Sequence, residues 1–297
     1  MKKEYLFGTK GGGLAFTVTT LLYIFIAVIG GLILSAFGLK STDGAYVFIS
    51  AFFSAITIAI VILYFSVNTG ERVFGSTQVK KFNAVYLIFS VLLAVGVFCG
   101  FGFINDATAS LIKSLGGNAG AISFLPETAT ELLLFILCYA LVPAVFEELF
   151  FRGFLIRYLY GVRTWAAVIV SALCFALYHG NFAQFFYQFI YGAALGLLTV
   201  SSGSVIPSVF AHFINNLAVI LFTYFSVNIN LYDPLLIVFG VAVSVCVSVA
   251  LIFILRKKQN SGGRTAENGN GLGGFFAFAS VGMAFCLLLA IGNVFNV

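Results

Sequence analysis

The chain has 297 residues, of which 61% are hydrophobic and 8% charged, with Phe alone at 36 positions. Soluble domains carry roughly 25% charged residues, and a water-soluble fold of this size would leave large apolar patches facing water. A soluble globular protein, a disordered chain and a disulfide scaffold are thereby excluded, the formal charge of +5 carries no argument for nucleic-acid binding, and a polytopic membrane protein remains.

The apolar stretches are long and do not alternate, which favours helices over a barrel with strands of about 10 residues. Nine spans fit, at about 14–37, 46–67, 83–104, 129–151 or longer, 165–181, 185–200, 205–225, 234–255 and 274–294. The fold class expected is all-α, a polytopic transmembrane helix bundle. Lys2, Lys3 and Lys10 precede the first apolar run of 24 residues. That run is too long for a signal-peptide core and lacks a small-residue cleavage site, so it reads as a retained span. Residues 105–128 read as an external loop with an apolar-periodic piece near Ala107–Leu115. The sixth span is the shortest. Residues 256–273, rich in Gly, Asn and Ser, read as a flexible cytoplasmic linker to an extra ninth span. The domain organisation expected is 1–128 for the first three spans and external loop, 129–255 for the chemistry, 256–273 for the linker and 274–297 for the last span. The five cysteines lie inside apolar stretches and read as small core residues. No internal repeat is visible.

Lys and Arg positions set the orientation. With the N-terminus cytoplasmic and nine spans, 13 of the 15 basic residues fall on the cytoplasmic side, and only Lys40 and Lys113 fall outside. The C-terminus is then external. Short loops and no targeting extension favour a bacterial plasma membrane.

Ionisable groups within spans are costly and are functional candidates. Glu147, Glu148 and Arg152 lie in LVPAVFEELFFRGFL, His179 in CFALYHG, and His212 in FAHFINNLA. Glu148 and Arg152 are four apart, share a helix face and can pair. Glu147 points about 100° away and is left free for chemistry. His212 and Asn216 share a face, as do Phe175 and His179. If the fourth helix runs past Arg152 to about Tyr158 and turns at Gly161, Glu147 lies ~16 Å before the turn and His179 ~22 Å beyond it. His212 lies ~11 Å into the seventh span. The three can then meet, with the site expected in the cytoplasmic half and open toward the cytoplasm. A carboxylate removed from water can act as a general base. A neutral histidine can orient and deprotonate water, and a second histidine with an asparagine amide suits a developing oxyanion. This describes amide hydrolysis by activated water.

EELFFR (Glu147–Arg152), FALYH (Phe175–His179) and HFINN (His212–Asn216) match EExxxR, FxxxH and HxxxN in order. In this the chain resembles the CPBP family, the type II CAAX prenyl endopeptidases and bacteriocin-processing or immunity proteins, over roughly 131–220. The resemblance implies an intramembrane endopeptidase with an eight-helix core, to which the ninth span is extra. It implies that Glu147 and His179 activate water, that His212 and Asn216 form the oxyanion hole, and that Glu148, Arg152 and Phe175 support them. The family is often labelled metalloprotease. Glu147, His179 and His212 suffice for one zinc ion, the same residues suit metal-free chemistry, and HExxH is absent, so the cofactor is either none or one divalent cation.

Asn215 reads as a packing residue beside Asn216. The aromatic stretch Phe182–Tyr191 suits either a lipid-facing surface or a prenyl groove, and Gln184 and Gln188, four apart, suit the substrate backbone. The partners expected are membrane lipid and a prenylated, leader or other membrane-anchored peptide, with no nucleic acid; oligomeric state is not legible. Two other classes stay open: a non-proteolytic immunity or partner-binding protein, and a proton-coupled transporter, to which Pro143 one turn before Glu147 lends a possible kink.

Overall fold

The computed structural model describes residues 8–70, 72–119, 124–159, 162–260 and 271–295. Among these residues there are nine long helices and no strand. They are α1 (Gly8–Ala36), α2 (Gly44–Thr69, bent at Ala51), α3 (Val85–Ser114, bent at Gly102), α4 (Ala129–Tyr158), α5 (Thr164–Tyr178), α6 (Phe182–Ser202), α7 (Ile206–Tyr224), α8 (Pro234–Asn260) and α9 (Gly271–Phe295). Eight of the nine are long and apolar enough to cross a membrane. The fold is an all-α polytopic bundle.

Three elements differ from the sequence expectation. The short helix is α5, with 15 residues, while α6 has 21. Gly180 at φ +57° ends α5, and the Asn181 side chain accepts from Ala183 N at 2.9 Å to start α6 early. Among the eight spanning-length helices, the span that looked weakest is the one most enclosed by protein, 56% buried over its most apolar window. Its Gln184, Tyr187 and Gln188 lower its hydropathy, and all three line a cavity within the bundle. The third difference lies in 105–128, where α3 continues to Ser114 rather than ending in a loop.

The fourth helix is long, as its motif required. Its start is fixed by a capping box in which Thr128 Oγ1 accepts from Glu131 N at 3.2 Å and Glu131 Oε2 accepts from Thr128 N at 3.0 Å. The turn expected at Gly161, Lys2, Lys3 and residues 261–270 of the expected linker lie outside the described residues. Residues 256–260 complete α8 and 271–273 open α9.

Lipid gives no apolar driving force between helices, so close backbone approach and interhelical hydrogen bonds hold the bundle. At the α3–α8 crossing a Cβ on Gly240 would stand 2.1 Å from Gly100 N. Helix α9 packs along α1, where Thr17 Oγ1 donates to Phe278 O at 2.6 Å and accepts from Gly282 N at 3.1 Å.

Hydrogen bonds sort the two ends of the bundle. At the first end Arg157 Nη1 donates to Gly75 O (2.5 Å), Gln78 Nε2 to Gly153 O (3.0 Å) and Ser204 Oγ to Lys80 O (2.7 Å). At the second end Asn118 N donates to Val294 O (2.7 Å) and Asn293 Nδ2 to Gly180 O (2.8 Å). Lys10, Arg72, Lys80, Lys81, Arg163 and Arg256 all belong to the first end, and Lys40 and Lys113 to the second.

Candidate active site

The site begins with an irregularity in α4. Pro143 has no N–H to give the carbonyl four residues earlier. Residues Leu137–Leu141 wind as a π-helix, Val142–Glu148 return to α, and Leu149–Leu155 form a second π stretch. Such local widening is frequent at functional sites. Here it brackets Glu147 and Glu148. The carbonyl that Pro143 leaves, that of Tyr139, accepts from Asn216 Nδ2 at 3.3 Å.

Glu148 and Arg152 are fully buried and paired, Nη1 to Oε1, at 2.5 Å. Arg152 Nη2 also donates to Gly192 O at 3.2 Å, and its guanidinium lies 4.0 Å from the centroid of the Phe175 ring. Gly192 is required there, because a Cβ would stand 3.0 Å from Arg152 Nη2 and 3.3 Å from Ala172 Cα. The same Glu148 Oε1 accepts from His212 Nδ1 at 3.0 Å. One carboxylate thus anchors helices α4 and α7 and neutralises the buried cation.

Phe175 organises the two histidines. Its ring centroid is 4.6 Å from that of His179 and 5.7 Å from that of His212, edge-on in both cases. Its carbonyl lies 2.8 Å from His179 Nδ1. A carbonyl only accepts, so that nitrogen carries the proton and His179 Nε2 has a free lone pair. By the same accounting His212 Nδ1 donates to Glu148, and His212 Nε2 can donate only in the imidazolium form.

Glu147, His179, His212, Asn216, Gln184 and Gln188 all line one cavity of ≈ 520 Å³. Glu147 Oε2 is buried with no protein partner. Asn216 Oδ1 accepts from Asn215 Nδ2 at 3.3 Å, and Asn215 Oδ1 accepts from Tyr187 OH at 2.6 Å. With one amide hydrogen on Tyr139 O, Asn216 has one left for the cavity. Glu148, Arg152 and Phe175 stand behind this wall. Asn215, read from the sequence as packing, orients Asn216, and Tyr187 orients Asn215. The adjacency in HFINN and the Pro143–Tyr139 spacing were the available signals. Asn105, with a buried unpartnered Oδ1, also lines the cavity. No motif marks it, and it reaches the site where α3 continues past residue 102.

The opening differs from the expectation. Among the lining residues only Gln184 and Val219 are exposed, and both lie toward the second end, away from the basic loops. Helix α5 stops at Tyr178, so His179 stands at its second-end terminus. Toward the first end the chain packs tightly against α4: a Cβ on Gly153 would stand 2.2 Å from Thr77 O, and Phe150, Phe151 and Phe154 are fully buried.

His179 and His212 commit Nδ1 to Phe175 O and Glu148, the kind of outer partner that orients an imidazole and leaves Nε2 to face the cavity. No group of three His, Cys, Asp or Glu that could hold an ion occurs among the described residues, and the chemistry proposed for the site uses the protein's side chains and water.

The architecture is that of an integral membrane protein whose bundle holds a polar cleft of two histidines, a carboxylate and an amide. Residues 129–218 match the family model of the type II CAAX prenyl endopeptidases, Rce1-like. For that segment the match supports the resemblance to the CPBP family of intramembrane proteases that its three motifs carry. No curated protein and no solved structure matches the chain.

Proposed function

We propose that this protein cuts a peptide bond of a lipidated or membrane-anchored peptide using water activated by Glu147 and His179. The observation that carries the reading is the convergence of Glu147, His179, His212 and Asn216 on one cavity within the bundle. A water there can donate one O–H to the unpartnered Glu147 Oε2 and the other to His179 Nε2. Its oxygen attacks the carbonyl carbon, and its proton passes to Glu147. The oxyanion accepts from the free Asn216 amide N–H and from His212 Nε2–H in the imidazolium form. Collapse breaks the C–N bond, Glu147 returns the proton to the leaving amine, and the products are a carboxyl and an amino terminus. A positioned base contributes about 10²–10⁴ in rate and each oxyanion donor about 10²–10³.

Gln184 and Gln188 are proposed to hydrogen-bond the peptide backbone. The membrane proposed is a bacterial plasma membrane, with the N-terminus cytoplasmic.

The test is cleavage of a quenched prenylated CAAX peptide by the purified protein in lipid, beside Glu147→Ala and with a chelator. Cleavage lost in the variant supports the reading. Cleavage retained in Glu147→Ala refutes the assigned base. A chelator that abolishes wild-type cleavage refutes the metal-free route.

A further inference from the structure

Resting on the reading of this cleft as a protease site, we infer that its substrate enters from the exoplasmic side. The peptide is therefore one already translocated, not the cytoplasmic tail of a lipidated protein. Two independent observations combine. The first is the direction of the cavity. Its deep wall is Glu147, His179 and His212, and its exposed lining residues are Gln184 at the start of α6 and Val219 late in α7. Both face the end that holds Asn118, Gly180 and Asn293. The opposite end is closed by the Thr77 backbone against Gly153 and by Gln78 Nε2 on Gly153 O at 3.0 Å.

The second observation is charge. Basic residues on short loops mark the cytoplasmic side. They gather at the closed end, where Arg72, Lys80, Lys81, Arg163 and Arg256 lie. The open end carries Lys40 and Lys113 against Asp43, Asp106, Glu127, Glu131 and Asp233. The end to which the cavity opens is thus exoplasmic, and it carries more acidic than basic residues. Its polar lining at Asn105, Gln184 and Gln188 is amide only, suited to the N–H and C=O groups of an extended chain rather than to a charged headgroup.

The experiment is single-cysteine labelling of the full chain, its five native cysteines replaced by serine or alanine, with a membrane-impermeant sulfonated maleimide. Thr42→Cys reports the open end, Lys81→Cys the closed end, and Gln184→Cys the mouth, with Val219→Cys as a second mouth position should Gln184→Cys not accumulate. Thr42→Cys and the mouth cysteine should label in spheroplasts and not in sealed inside-out vesicles, and Lys81→Cys should do the reverse. The reverse pattern at Thr42 and Lys81 would overturn the orientation. A mouth cysteine labelled from the same side as Lys81→Cys, or from neither side, would overturn the direction of the cavity. Labelling needs no turnover, so Glu147→Ala should show the same pattern, and a failed cleavage assay would count against the protease reading while the direction of the cleft stood.

Discussion

Glu148 Oε1 stands 3.0 Å from His212 Nδ1 while it also accepts Arg152 Nη1 at 2.5 Å. One buried oxygen therefore fixes a helix partner and a catalytic ring together. Removing one member of a buried pair costs about 3–5 kcal/mol, because the other charge is stranded. Arg152→Ala strands Glu148 and also removes the cation from the Phe175 face. It should lower the melting temperature in detergent sharply and reduce the folded yield. A variant as stable as wild type would show that the pair is not structural.

Glu147 should behave in the opposite way. Its Oε2 has no protein partner, so Glu147→Gln keeps the shape and breaks no hydrogen bond recorded for that oxygen. Stability should change by less than about 0.5 kcal/mol, as for sites outside any network. Turnover of the quenched peptide should fall by about 10²–10⁴. Thermal melts and initial rates on the same preparation separate this pattern from that of Arg152→Ala.

Asn216 and Asn215 should differ by rank. Asn216 presents the free N–H, and its loss should cost about 10²–10³ in kcat. Asn215 acts through it, held in turn by Tyr187 OH at 2.6 Å. Asn215→Ala should cost less than Asn216→Ala, and Tyr187→Phe less again, with KM little changed in all three. Equal losses in the two asparagine variants would show that Asn215 itself touches the substrate.

Most of this site was legible because its chemistry is local on helices. Spacing alone gave the Glu148–Arg152 pair, the free Glu147 and the shared face of His212 and Asn216. Spacing could not give what depends on three-dimensional closure. Asn105 reaches the cavity through a helical extension that read as a loop. Gln184 and Gln188 made α6 look weak, although they mark the side of it that lines the cavity. The sequence also could not say which end of the bundle is plugged, since that turns on the close approach of Gly153 to Thr77. The eight spanning-length helices were legible from apolar length, and α5, expected to run to 181, ends at Tyr178 with the turn at Gly180.

Pro143 offers a test of how local backbone strain serves the site. Proline costs about 3 kcal/mol relative to alanine in a helix interior. It persists in α4, where the carbonyl it releases, Tyr139 O, accepts from Asn216 Nδ2 at 3.3 Å. Pro143→Ala supplies an N–H that competes for that carbonyl as the π-wound segment tightens toward regular helix. Asn216 then loses the acceptor that fixes its rotamer. The variant should melt at the same temperature or higher, yet turn over more slowly, with the loss in kcat rather than KM. The double variant Pro143→Ala/Asn216→Ala should be no slower than Asn216→Ala alone, because both changes act on one donor. Additive losses in that cycle would place the role of Pro143 elsewhere, in the position of Glu147 one turn along the same helix.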